Sequence, residues 1–134
     1  MGYIRIAAGA YREMVHHCME EKPLEACGLL SGSEGTVGRC WNIRNVNQSP
    51  VSFAMDMEQV VTALQQMKQH NEQLLGIYHS HPNSYPYPSI FDIEHVVYPC
   101  SYLIVSLNRL RPRVRSYRIT GGDVQHEPIW LVPS

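Results

Sequence analysis

Residues 74–92 read LLGIYHSHPNSYPYPSIFD. Leu74 to Tyr78 is an apolar run of strand length that flows into His79-Ser80-His81-Pro82, where the proline argues against continued central pairing. Pro82, Pro86 and Pro88 stiffen the segment that follows, and Ser89 opens a short helix that Pro99 terminates. The order strand, stiff loop, helix start is the frame into which the remaining elements must fit. Side chains at i and i+2 of a strand share a face, so His79 and His81 project together, roughly 7 Å apart along the chain.

Upstream, Tyr3 to Ile6 predicts a first strand, and Tyr11, Met14, Val15, Cys18 and Met19 recur at helical spacing until Pro23 stops the pattern. The apolar run Ala26 to Leu30 closes in Ser31-Gly32-Ser33-Glu34-Gly35, a strand leading into a hairpin whose second arm begins near Thr36 and passes Trp41 and Ile43. Asn45 to Phe53 is polar, contains Pro50 and reads as a loop. Asp56 resembles an N-cap with Gln59 three residues on, and Met57, Val60, Val61, Leu64 and Met67 form one apolar stripe of a second helix. Downstream, Tyr102 to Leu107 is a buried-type strand, Val114 to Ile119 an alternating one, and Gln125 to Val132 one last edge strand containing Pro128. The order βαββαβαβββ, without internal repeats, predicts one α+β domain over residues 1–134, a mixed sheet flanked by helices.

At 134 residues with 44% apolar and 17% charged side chains, the chain has the composition of a compact globule. A formal charge of -1 supplies no strong field for nucleic acid or an anionic membrane, so neither is an expected partner. Apolar runs of a few residues fall far short of the roughly twenty that span a bilayer. Cys18, Cys27, Cys40 and Cys100 form no CxxC pair and no signal-like segment opens the sequence, so a reduced, cytoplasmic protein is expected.

A catalytic zinc site takes three protein ligands from His, Asp or Glu and keeps a position for water. His79 and His81 supply two, and Asp92, carried back by the proline-rich loop, offers the third. Seven histidines in 134 residues give roughly 0.4 HxH pairs by chance, so the pair alone carries little. Adding one of eleven serines and one of three aspartates at fixed offsets lowers the expectation to about 0.0007. Ser89-x-x-Asp92 is also a capping-box-like pattern, and the two roles are compatible because a helix start locks the side chains it uses. Hydrolysis further needs a base beside the metal. Of nine glutamates, Glu25 stands out because it precedes the apolar Ala26-Cys27-Gly28-Leu29-Leu30 and so enters the core with its strand.

Glu25 in PLEACGLLSG, then GIYHSHP, then PSIFD, resembles the JAMM or MPN-plus zinc metalloproteases, whose signature is a distant Glu followed by HxH, seven residues, Ser, two residues and Asp. The likeness extends through Asn45-Val46 to Met55-Asp56 and YLIVSL at 102–107, and so covers nearly the whole chain in the manner of the short prokaryotic members. The resemblance implies a JAB/MPN-like (cytidine-deaminase-like) fold. It also implies one zinc ion on His79, His81 and Asp92, Glu25 as general base and then acid, and Ser89 stabilising the oxyanion. The substrates it implies are ubiquitin-like or sulfur-carrier proteins ending in Gly-Gly, cut at the peptide or isopeptide bond after the tail.

The chain is too short for the insertions with which larger relatives grip a ubiquitin chain. Tyr85 and Tyr87 make the loop before Ser89 bulky, with packing slightly favoured over lining a groove, and His95 reads as a partly exposed helix residue. The main rival is a metal-free MPN-type scaffold on the same fold, disfavoured by the intact ligand set. A zinc nucleobase deaminase would need HxE and PCxxC, and neither string is present. Oligomeric state and the identity of the carrier protein stay open at this level.

Overall fold

Gln73–His81, here β4, is the strand on which the sheet is organised in this computed structural model, which describes residues 2–134. The preceding elements are β1 (Ile4–Ala7), α1 (Ala8–Glu20), β2 (Cys27–Ser33), β3 (Thr36–Ile43) and α2 (Met57–Gln69). After β4 come α3 (Ile90–Glu94), β5 (Ser101–Ser106), β6 (Arg113–Thr120), β7 (Asp123–Glu127) and β8 (Ile129–Val132). One mixed sheet holds all eight strands in the order β7-β6-β5-β4-β2-β3-β1-β8. β4 runs antiparallel to β2 and parallel to β5.

Local chemistry explains the element ends. Glu34 and Gly35 both adopt positive φ (54° and 77°), the geometry of a two-residue hairpin turn, and join β2 to β3. Asp56 caps α2, its side chain accepting from the N–H groups of Glu58 and Gln59 at 3.0 and 3.3 Å. α1 buries Ala10, Met14 and Cys18 against Ile6, Leu30, Tyr78, Leu103 and Val105 on one face of the sheet. α2 buries Val60, Ala63 and Met67 against Cys27, Leu29, Ile77 and Ile104 on the other. Strand alternation therefore sends Tyr78 toward α1 and Ile77 toward α2, and His79 and His81 follow Ile77.

His79 pairs with Cys27 and His81 with Ser106, and Pro82 stops the strand once both histidines are placed, as its missing N–H leads one to expect. Two expectations are corrected. α3 ends at Glu94 rather than running to Pro99. His95 leaves the helix with φ -110° and ψ 23°, and the N–H groups of Val97 and Tyr98 both donate to the Tyr102 hydroxyl, which draws the chain onto β5. The single last strand is two, β7 and β8, which occupy opposite ends of the strand order with only Pro128 between them. Proline has no N–H for a ladder, while its carbonyl accepts from Ile4 N–H at 3.0 Å, so the ladder partner changes there. The sheet must curl to bring those ends together, and it does so around α1. Among the described residues no helix is long and apolar enough to cross a membrane.

Candidate metal centre

Strand β4 presents His79 and His81 at its C-terminal end, both buried, and the loop after Pro82 returns Asp92 to them. His79 Nε2 lies 3.2 Å from His81 Nε2, and each is 3.1 Å from Asp92 Oδ2. His81 Nδ1–H donates to the Tyr85 carbonyl at 2.8 Å, which turns the Nε2 lone pair toward the other two atoms. Three lone-pair atoms facing one another at this range require positive charge between them, a proton or a metal cation.

The loop that delivers Asp92 is held from both sides. Ser106 Oγ donates to the Ser84 carbonyl at 2.6 Å, and the Tyr117 hydroxyl donates to the Pro86 carbonyl. Ser89 caps α3 in a reciprocal box: its Oγ accepts from Asp92 N–H at 3.0 Å, and Asp92 Oδ2 accepts from Ser89 N–H at 2.9 Å. The capping role of Ser89 is therefore present, and its hydroxyl proton remains free to donate elsewhere.

Glu25 reaches the same face from β2. Ala26 and Ser80 exchange hydrogen bonds, Ala26 N–H to Ser80 Oγ at 2.8 Å and Ser80 N–H to the Ala26 carbonyl at 3.0 Å. Continuing the Cys27–His79 register by two residues puts Glu25 opposite His81. Its residue is 3% exposed, and Oε1 is buried without a hydrogen-bond partner. An orphaned carboxylate oxygen beside a cluster of metal-type donors is the mark of a group whose partner is a ligand or substrate.

The electrostatics follow from burial. Desolvation pushes the Glu25 carboxyl up to about 8, opposed by His81 and reinforced by the Asp92 charge. Burial also draws His79 below its ordinary value against the pull of Asp92. On His81 burial acts downward, but the contacts with Asp92 and the Tyr85 carbonyl outweigh it and the net shift is upward. Burial likewise acts upward on Asp92, and the two imidazoles outweigh it, holding the carboxyl well below the usual range.

Some features of the site escape sequence reading. Phe53 stacks on the His79 ring at 4.6 Å. Asn45 is buried, and its amide donates to the Glu25 carbonyl at 3.0 Å and the Ser52 carbonyl at 3.1 Å, tying the polar loop to the base candidate. An asparagine opening a polar loop was the available signal. Tyr85 and Tyr87 are 65% and 56% exposed rather than packed away, Tyr87 touching Tyr117 edge to face. His95 is exposed, stacks on Phe91 and donates to its carbonyl. A largely apolar cavity of about 330 Å³ opens against His79 and Asp92, walled by Phe53, Met57, Phe91 and Tyr98.

Comparison with known proteins places this geometry. Two curated relatives align along most of the chain. A CysO-cysteine peptidase of Mycobacterium tuberculosis (strain H37Rv) is 33% identical over 131 residues, covering 95% of this chain and 90% of the relative. A desampylase of Haloferax volcanii is 34% identical over 128 residues, covering 90% of each. Among solved structures, a protein from Desulfitobacterium hafniense superposes with a TM-score of 0.89 at 34% identity, covering 98% of this chain and 94% of that one. A JAB1/MPN domain protein from Archaeoglobus fulgidus shares the fold, with a TM-score of 0.68 at 16% identity over 98% of this chain and 100% of its own. The model of prokaryotic homologs of the JAB domain matches residues 7–120, a span that includes Glu25, His79, His81, Ser89 and Asp92, and the chain belongs to that family.

Proposed function

We propose that this chain is a zinc-dependent metalloprotease and isopeptidase that hydrolyses the bond after the C-terminal Gly-Gly tail of a ubiquitin-like or sulfur-carrier protein, with residues 1–134 acting as one cytoplasmic catalytic domain. The observation that carries the reading is the donor triangle with Glu25 beside it. Tetrahedral zinc with bonds of about 2.0–2.1 Å needs donor atoms roughly 3.3 Å apart. The spacings of 3.1 and 3.2 Å among His79, His81 and Asp92 match that requirement, and two imidazoles with one carboxylate are a ligand set that catalytic zinc sites use. Four cysteines without a disulfide support a reducing compartment. The relatives named as a CysO-cysteine peptidase and a desampylase support the substrate class.

Zinc held by His79, His81 and Asp92 would supply Lewis acidity toward the scissile carbonyl and would lower the pKa of water. Glu25, ionised beside the ion, accepts a proton from the attacking water and returns it to the leaving amine, so the proton count closes without a covalent acyl-enzyme. Its unpartnered Oε1 is the atom free to do this. Ser89 donates its hydroxyl proton to the developing oxyanion while Oγ keeps the N–H of Asp92. A diglycine tail, having no side chains, suits a narrow approach to a buried centre.

The direct test is hydrolysis of a ubiquitin-like protein fused through Gly-Gly to a reporter. Zinc-loaded protein is expected to cut after the second glycine, chelated protein and Glu25→Gln are not, and cleavage by the chelated form at the loaded rate would overturn the reading.

A further inference from the structure

From His95 to Gly122 the chain carries five arginines and no Asp or Glu, although acids and bases nearly balance over the whole sequence. Arg109, Arg111 and Arg113 lie in and beside the turn joining β5 to β6, with Leu110 at its tip fully exposed (100%). Among the described residues none of these three arginines enters an ion pair with a carboxylate. Like charges gathered at one turn repel one another, so an uncompensated cluster on a nearly neutral protein points to an anionic partner.

The position of the turn says which partner. His81 pairs with Ser106, and Ser106 pairs with Arg113, so Arg113 sits in the same row of the sheet, two strands or about 10 Å from a metal-ligand candidate. The Arg113 guanidinium stands 5.8 Å from the centroid of the Tyr85 ring, and Tyr85 is the residue whose carbonyl orients His81. Arg113 also donates to Asn108 Oδ1 at 3.1 Å, an oxygen that lies 2.8 Å from Ser106 Oγ, the hydroxyl that holds the Ser84 carbonyl. The turn is thus fastened to the loop that frames the centre, while Arg109, Leu110 and Arg111 project from it into solvent.

We propose that Arg109, Leu110 and Arg111 form a docking surface for an acidic patch on the folded body of the protein substrate, holding it while its tail enters the centre. The inference rests on the hydrolytic reading above and extends it to recognition. Arginine and tyrosine around one exposed aliphatic residue is interface composition, in which charge steers the encounter and the apolar tip is desolvated on contact. A nucleic acid fits less well, because its backbone needs an extended basic track and the remainder of this chain holds more acids than bases.

The test measures binding and cleavage separately. The probe is a folded ubiquitin-like protein of net negative charge ending in Gly-Gly, titrated into zinc-loaded wild type and into R109E/R111E at low and high salt. The Kd is expected to rise about tenfold or more in the variant, with its salt dependence flattened, while a short Gly-Gly peptide is cut at the wild-type rate. Leu110→Ser, which leaves the charge intact, is expected to weaken binding at both salt concentrations. Equal affinity of R109E/R111E and wild type for the probe, or no binding by wild type, would overturn the docking surface, as would tighter arginine-dependent binding of a single-stranded oligonucleotide. Arginine-dependent binding with neither protein nor peptide cut would leave the docking surface standing and refute the hydrolytic reading instead.

Discussion

His81 is fixed by Tyr85: its Nδ1–H donates to the Tyr85 carbonyl at 2.8 Å, and since a carbonyl oxygen only accepts, the Nε2 lone pair is committed to the space shared with His79 and Asp92. The orientation comes from backbone rather than from another side chain. The loop shape set by Pro82 and Pro86 thus decides which nitrogen is offered to a cation. Such outer contacts fix tautomer and ring angle in metal sites generally.

Metal binding should depend on all three donors. Mass spectrometry of protein purified without chelator is expected to find about one zinc per wild-type chain and none in His79→Ala or Asp92→Ala. Free zinc at 100 times its Kd should stabilise wild type by about 2.7 kcal/mol, seen as a rise in Tm, and leave the variants unmoved. Full zinc occupancy in Asp92→Ala would remove that residue from the ligand set.

Ser89 has two tasks that two substitutions separate. Alanine at an N-cap costs about 1 kcal/mol, whereas glycine costs only a few tenths. Ser89→Ala should therefore lower stability more than Ser89→Gly, while both lose the hydroxyl donor and, with it, up to about 100-fold in kcat. Near wild-type turnover in Ser89→Gly, read beside its melting curve, would reduce Ser89 to a helix cap.

The sequence was most legible where geometry is local. Strand alternation placed His79 and His81 on one face, and the Ser89–Asp92 spacing announced a capped helix start. Glu25 was found because an acid heading an apolar strand is anomalous in any fold, even though its position opposite His81 depends on pairing between segments more than fifty residues apart. What stayed hidden is long-range. Gln125 to Val132 reads as one strand because nothing local reveals that the residues on either side of Pro128 join opposite edges of a curled sheet. Phe53 against His79 and the Tyr85 carbonyl on His81 arise from loop closure, for which no periodicity exists.

Gly28 pairs with Tyr78 at a point where β2 leaves no room for a side chain. A Cβ there would collide with the Tyr78 ring at Cε2 and with the Trp41 carbonyl oxygen. Tyr78 cannot withdraw freely, because it is fully buried and its hydroxyl is engaged by His17 Nδ1 at 2.7 Å and donates to Asn42 Oδ1 at 3.1 Å. Gly28→Ala is expected to cost about 1–3 kcal/mol in urea unfolding by forcing β2 from β3. Since Gly28 follows Cys27, the partner of His79, zinc affinity should fall as well. An unchanged urea midpoint would show that the sheet yields there.

Glu25 links catalysis to a pH-dependent stability that can be measured without substrate. Burial raises its carboxyl from an ordinary 4.5 to about 8 in the metal-free chain. A raised acid keeps its proton in the folded state to higher pH than in the unfolded one. Below about pH 4.5 the group is protonated in both states and contributes no difference. Between 4.5 and 8 the unfolded chain ionises first, so folding loses stability progressively, and above about 8 the loss is complete and constant. Glu25→Gln removes this contribution while keeping the shape. Chelated Glu25→Gln should therefore match chelated wild type near pH 4.5 and become increasingly more stable than it up to about pH 8, as measured by denaturant midpoints across that window. The variant should also retain zinc and lose hydrolysis of a Gly-Gly fusion by about 100-fold or more, in line with loss of a general base. Wild-type cleavage in the variant would move the proton-carrying role to another residue, and a stability difference flat with pH would mean that Glu25 is solvated in the folded chain.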